Sequence, residues 1–322
     1  MNRRTAMLAG GALALAALAM PAAAQDKDYP NRPIHMSVGF AAGSGADILA
    51  RYYANKLNIE LGQNVVIENK PGANGNIAAQ GVVQSKPDGY TLLFAPSAAI
   101  SGGRYLYKNM PYDSLRDFVL VGPLLDVAFV MAVGAASPVK SVAELTALLK
   151  SKPKARYGTS NSTAIAATQL YKTRTGVEAT QVAYRTTADA IGDLADGTLD
   201  FMFLDGVFAL SQQKAGRVRL LATTGTRVDN APDVPTMTEA GIKDYSFSVF
   251  WMLAAPKDTP APVVNKINAA LKKISEMEET RTFLANTASK PLYATPAETT
   301  DKVAKDIGVW GEIAKAGNFE PQ

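Results

Sequence analysis

Two short segments carry residue types and spacings that could do chemistry. Phe40-Ala41-Ala42-Gly43-Ser44-Gly45-Ala46-Asp47 lies between an alternating apolar run and a helical pattern. Glycines there let backbone approach a ligand, and the helix start offers unpaired N–H groups and a positive dipole to an anion. The same residues also suit an ordinary strand-to-helix turn. They are no dinucleotide fingerprint, because Ile48 stands where a third glycine is required. Thr159-Ser160-Asn161-Ser162-Thr163 sets four hydroxyls and an amide before another helical pattern, which suits either capping or carboxylate binding. With Gly158 it approaches a nucleophile elbow but lacks the last glycine. A serine nucleophile would also need a base, and the single histidine, His35, is expected to be buried by alternation on a strand. The aromatics Phe247, Phe250 and Trp251 are expected in the core on one strand face, where one of them could stack on a ligand.

Composition narrows the chemistry further. The chain has 322 residues, no Cys and one His, which excludes disulfides, thiolate metal sites and cysteine nucleophiles, and nearly all His-based metal sites. The carboxylates show none of the spacings of metal loops. What remains is oxygen, amide and guanidinium groups on a shaped surface, with no cofactor or metal expected. Apolar residues make up 47% and charged residues 19%, a globular composition long enough for two domains.

Residues 1–24 read as a signal peptide. Arg3 and Arg4 precede an uncharged apolar run from Met7 to Met20, then Pro21 and a small-residue cleavage site at Ala22-Ala23-Ala24. The run is shorter than a membrane span. Losing both arginines takes the formal charge from +4 to +2, and no dense basic run exists, so a nucleic-acid partner is not expected.

The elements that must position the two segments alternate between strand and helix patterns, which argues for α/β layers on mostly parallel sheets. A strand is expected at 34–38, a helix from Asp47 to Leu61 ended by Gly62, and strands at 65–67 and 90–94. The apolar stretch from Val119 to Val133 reads as a crossing into a second unit. There, helices are expected after Ser141 (a capping box with Glu144), at 164–173 and at 187–194, with buried strands at 199–203 and 218–222. An aromatic strand from Tyr245 to Trp251 returns the chain, and helices follow at 263–277 and 297–316.

At Glu68-Asn69-Lys70-Pro71-Gly72-Ala73-Asn74-Gly75-Asn76 and Pro87-Asp88-Gly89-Tyr90-Thr91-Leu92-Leu93 the chain closely resembles Bug-type solute-binding proteins, the periplasmic receptors of tripartite tricarboxylate transporters. Further blocks in the same order are Met110-Pro111-Tyr112-Asp113 and Ala231-Pro232-Asp233-Val234-Pro235-Thr236. The resemblance implies an α/β, two-lobed periplasmic-binding fold of type II-like form, with two mixed or parallel sheets joined by two crossover strands. Its lobes would be 25–124 with 252–322, and 125–251. It implies no enzymatic activity, a periplasmic location, a small organic anion as ligand and a membrane permease as partner, with the receptor acting as a monomer. A receptor presenting its ligand to a membrane kinase would have the same pocket.

In the family, the loop matching Phe40, Ala42, Gly43, Ser44, Gly45 and Ala46 holds a proximal carboxylate through backbone and ordered water. The segments matching Ser97, Thr159, Ser160, Asn161, Ser162 and Thr163, and the turn at Tyr184 and Arg185, complete the pocket. The chain departs from the family in several places. Gly39 replaces a usual proline, Ala46 a usual hydroxyl, and the turn at 159–163 is a residue short. Arg185 replaces lysine, and its planar fork suits a second carboxylate or else lies as a solvated surface charge. Phe203-Leu204-Asp205 stands where many relatives have Phe-Asp-Asn; Leu204 argues against an amine-bearing ligand, and Asp205 keeps the question open. The expected ligand is an anion without an amine, a dicarboxylate that is aliphatic or, given Phe208, Phe250 and Trp251, aromatic such as terephthalate.

Overall fold

The computed structural model describes residues 28–316 and Phe319, apart from 226, 246 and 248; the expected signal peptide lies outside the described residues. The strands are β1 (Ile34–Val38), β2 (Val65–Asn69), β3 (Thr91–Pro96), β4 (Phe118–Val127), β5 (Phe129–Gly134), β6 (Arg156–Thr159), β7 (Thr180–Ala183), β8 (Phe201–Asp205), β9 (Val218–Thr223), β10 (Val249–Pro256) and β11 (Ser289–Pro291). The helices are α1 (Gly45–Leu61), α2 (Asn76–Val83), α3 (Ser97–Ile100), α4 (Gly103–Leu106), α5 (Val142–Ser151), α6 (Ser162–Thr175), α7 (Thr187–Ala195), α8 (Gly206–Lys214), α9 (Ala261–Glu276), α10 (Glu278–Ala285) and α11 (Pro296–Ala316).

They form two sheets. The first runs β11-β4-β10-β3-β1-β2 and the second β7-β6-β8-β5-β9. Both are mixed. β1 pairs in parallel with β2 and β3, whereas β10 is antiparallel to β3 and β4. In the second sheet β6 is parallel to β7 and β8, and β5 is antiparallel to β8 and β9. The chain changes sheet at Ala128, between β4 and β5, and returns between β9 and β10. Residues 125–127 and 249–251 pair within the first sheet.

β10 is buried along its whole length because both its faces are covered. Leu253 and Ala255 join the cluster under α1 and α9, while Met252 and Ala254 join the one under α2. This is why 119–133 and 249–256 read as apolar runs without alternation. Pro123 sits in β4 although it has no N–H to give to a ladder, and the register shifts between Trp251 and Met252 opposite it.

The local punctuation follows the sequence closely. Ser44 caps α1, and Gly62 ends it at φ 70°. At α5 the Ser141 hydroxyl accepts from Glu144 N–H, but the Glu144 carboxylate takes Lys140 N–H, so the expected reciprocal box is only half formed. Complete boxes form at α7, where Thr186 and Asp189 exchange both bonds, and at α11, where Thr295 and Glu298 do. The aromatic strand starts at Val249 rather than Tyr245, which leaves Phe247 ahead of it, and the three aromatics do not share one face. Trp251 stacks on Phe94, Phe250 lies on the opposite face, and Phe247 packs edge-on against Trp310. His35 is exposed, not buried, and its Nδ1 lies 2.7 Å from Glu68 Oε1. Its side of β1 is uncovered at that end of the strand.

Candidate functional site

Every expected binding segment lies where a strand hands over to a helix. β1 leads into α1 through 39–44, β3 runs into α3 at Ser97, β6 into α6 through Ser160 and Asn161, β7 into α7 through 184–186, and β8 into α8 at Asp205. Within each sheet these strands are parallel, so their C-terminal ends and the following helix starts lie on one edge. That edge is where open α/β sheets bind ligands.

The first turn is held from beneath by a buried carboxylate. Asp47 accepts from Gly43 N–H at 2.8 Å, Asn69 Nδ2 at 2.9 Å and Arg51 Nε at 2.9 Å, and its side chain is 4% exposed. Burial alone would raise this carboxyl; the bonds from Arg51, Gly43 and Asn69 outweigh it and hold the group below the usual carboxylate range. Asn69 also donates to Phe40 O at 3.0 Å, so one amide ties both ends of the turn. Phe40 packs on Trp251, their centroids 5.5 Å apart. Gly39 lies against the left-handed turn at 72–75: a Cβ there would sit 2.2 Å from Gly75 Cα.

The N–H groups are already apportioned. Gly43 N–H goes to Asp47, and Asp47 N–H to the Ser44 hydroxyl at 3.3 Å. Among the described residues this leaves Gly45 and Ala46 N–H at the start of α1 without an acceptor. The other helices repeat the pattern. At α6, Asn161 Oδ1 takes Ala164 N–H at 2.9 Å and leaves Ser162 and Thr163 N–H. At α7, the Thr186 hydroxyl takes Asp189 N–H and leaves Thr187 and Ala188 N–H. Each start can therefore receive an acceptor oxygen.

In the second sheet the segments knit together. Ser160 and Thr187 share a hydroxyl hydrogen bond of 2.7 Å, Tyr184 N–H donates to Thr159 O, and Gln181 Nε2 donates to Thr159 Oγ1. Tyr184 donates its hydroxyl to Asp193 at 2.5 Å; burial and that carboxylate push the phenol up to about 12. Arg185 is exposed and forms no ion pair among the described residues. Leu204 is fully buried in the apolar cluster with Ile191, Leu194 and Ala209. Ser97 is likewise fully buried.

Asp205 is where the two sheets meet. Its Oδ1 caps α8 through Phe208 N–H at 3.0 Å, and Gly206 N–H reaches Ala128 O at 3.1 Å. A Cβ at Gly45 would lie 3.6 Å from Asp205 Oδ1 and 3.9 Å from Val207 Cβ, so α1 starts against α8. Burial pushes the Asp205 carboxyl up, against the pull of the Phe208 and Asp205 N–H groups. The turn at 40–47 and the turn at 159–163 make no hydrogen bond with each other among the described residues.

The sequence did not point to Asn69 or Trp251 as supports of the first turn. Among the described residues, no cluster of three or more His, Cys, Asp or Glu is placed to hold a metal, and no helix is long and apolar enough to cross a membrane.

Comparison with known proteins converges on one group. Residues 49–319 match the profile of the tripartite tricarboxylate transporter family receptor. Protein BugT of Bordetella pertussis is 31% identical over 308 residues, covering 94% of each chain. Among solved structures, R. palustris Rpa4515 with adipate superposes at a TM-score of 0.85 with 31% identity, covering 92% of this chain and 100% of that one. MatC (Rpa3494) from Rhodopseudomonas palustris with bound malate superposes at 0.79 with 27% identity, covering 89% and 100%.

Proposed function

We propose, for a chain that belongs to the tripartite tricarboxylate transporter receptor family and is a solute-binding protein rather than an enzyme, that it captures a small dicarboxylate without an amine and delivers it to a membrane permease. Export would remove the first 24 residues and place the receptor in the periplasm. Two lobes, 25–124 with 252–322 and 125–251, would close on the ligand about the passages that follow β4 and precede β10, driven by tighter binding to the closed form.

The observation that carries this reading is the set of helix starts at one edge of each sheet, of which those of α1, α6 and α7 each have two N–H groups left over among the described residues. Gly45 and Ala46 would take one carboxylate, and the starts of α6 and α7 the other, with Arg185 closing over it. Adipate and malate, the ligands in the two related structures, are both dicarboxylates without an amine. Leu204, packed in the core, gives an ammonium group nothing to bind, and Asp205 Oδ1 already caps α8. Terephthalate remains the aromatic candidate, with Phe208 half-buried beside Asp205.

A thermal-shift screen of ligand-stripped protein against adipate, malate, terephthalate, glutamate and benzoate tests the class. Ligand at 100 times its dissociation constant stabilises the fold by about 2.7 kcal/mol, several degrees at this size. Shifts with dicarboxylates and none with glutamate or benzoate are expected; a shift with glutamate alone would overturn the proposal. Arg185→Leu is expected to weaken the best dicarboxylate about tenfold, the loss of one charge-assisted contact. Unchanged titration curves for every dicarboxylate would remove that role from Arg185.

A further inference from the structure

The turn between α10 and β11 belongs to both sheets. Ser289 pairs with Val127 in the first sheet, yet Ala288 beside it is buried with Ala128, Leu204 and Ala209 of the second. Two backbone bonds join the pieces here: Ala128 N–H donates to Ala288 O at 3.2 Å, and Gly206 N–H to Ala128 O at 3.1 Å. On the exposed side of the junction, Asn230 Nδ2 donates to Asn286 Oδ1 at 2.7 Å. Ala288 holds φ 51°, a left-handed backbone that suits glycine better than alanine. Gly206, the first residue of α8, fits against it because it has no side chain. A Cβ on Gly206 would collide with the Ala288 Cβ and lie 3.0 Å from Ala128 O.

We propose that Gly206 is a positioning residue for the cleft: by letting the start of α8 seat on Ala288, it sets the angle at which the second lobe meets the first. The link to ligand binding rests on the function proposed above. The start of α8 touches the first lobe at two places. Gly206 lies on Ala288 beside the crossing, and its neighbours Asp205 and Val207 lie against Gly45, whose N–H is one of the two left for a carboxylate. The seat at the crossing and the wall beside the ligand turn are thus adjacent residues of one helix start, and neither moves without the other. Packed interiors answer an added atom by shifting whole elements rather than by compressing. A methyl group at 206 must push α8 off Ala288 by about 1 Å to reach ordinary carbon contact. That shift carries Asp205 and Val207 away from the first turn.

In the full mature chain, Gly206→Ala is expected to weaken adipate binding about tenfold or more and to reduce the contraction that saturating adipate produces in X-ray scattering. Ala288→Gly removes the opposing methyl group and relieves the left-handed alanine, so the double variant should recover to within about threefold of native affinity. Gly134→Ala is the control. Its Cβ would meet Leu194 O at the far end of β5, so it should lower the unfolding temperature and leave affinity and contraction unchanged. Without ligand, hydrogen exchange at Ala128 N–H should quicken about tenfold or more in Gly206→Ala, recover in the double variant and ignore Gly134→Ala. A smaller loss of adipate affinity in Gly206→Ala would overturn the positioning role. A double variant that does not recover, or that fails to fold along with Gly206→Ala, would overturn the contact with Ala288 as its cause. If no tested dicarboxylate binds the native chain, the proposed function falls and the coupling with it. Ala128 exchange still decides the seat in that event: quickened exchange keeps it, and unchanged exchange overturns it.

Discussion

Asp47→Ala is expected to lower stability by about 2–4 kcal/mol and dicarboxylate affinity by a hundredfold or more. The carboxylate accepts three hydrogen bonds, from a backbone N–H, an amide and a guanidinium, in a place nearly closed to water. Alanine leaves Gly43 N–H and Asn69 Nδ2 without that acceptor, and an unsatisfied buried donor costs more than the bond was worth. The turn then loses the contact that fixes Gly43 against α1, so Gly45 and Ala46 N–H no longer point where an anion needs them. Two powers of ten correspond to about 2.8 kcal/mol of lost preorganisation. Calorimetric titration with the best dicarboxylate, alongside urea unfolding, separates the effects. An affinity within threefold of the native value would show that the turn holds its shape without the carboxylate.

The same carboxylate sets a dependence on acid. Because Asp47 is held below the usual carboxylate range, the folded state binds fewer protons there than the unfolded chain. Its contribution is complete above the ordinary Asp range and is lost as pH falls through the lowered value. Asp47→Asn should flatten that acid limb of the stability curve.

Trp251→Ala is expected to cost about 3–5 kcal/mol, as large-to-small changes of buried aromatics do. Its ring stacks on Phe94 with centroids 4.8 Å apart and backs Phe40 on the other side. The variant opens a cavity beneath the first turn, so binding should weaken as well, with Trp251→Phe recovering most of both losses. Stability within 1 kcal/mol of native would mean that the surrounding side chains collapse to fill the space.

Much of the candidate site was legible because its signals are local. A turn of glycines and serines between a period-two and a helical pattern announces itself wherever the rest of the chain goes, and Ser44, Asn161 and Gly62 punctuate their helices as their chemistry requires. The blocks at 68–76 and 87–93 also carry the family in the chain itself. Reach and covering were not legible. Asp47 and Asn69 are 22 positions apart, and nothing in either neighbourhood names the other. Alternation placed His35 on a definite side of β1 but could not say that this side is open. It could not divide Phe247, Phe250 and Trp251 among three surroundings either.

The sequence by itself determined the strand-to-helix units, their caps, the family and the absence of thiol chemistry, since each depends on residues adjacent in the chain. Tertiary structure alone decided that β10 lodges between β3 and β4, that α1 begins against Asp205, and that α11 reaches both cores. These depend on which surfaces exclude water from which others, a property of the packed chain that no local pattern carries.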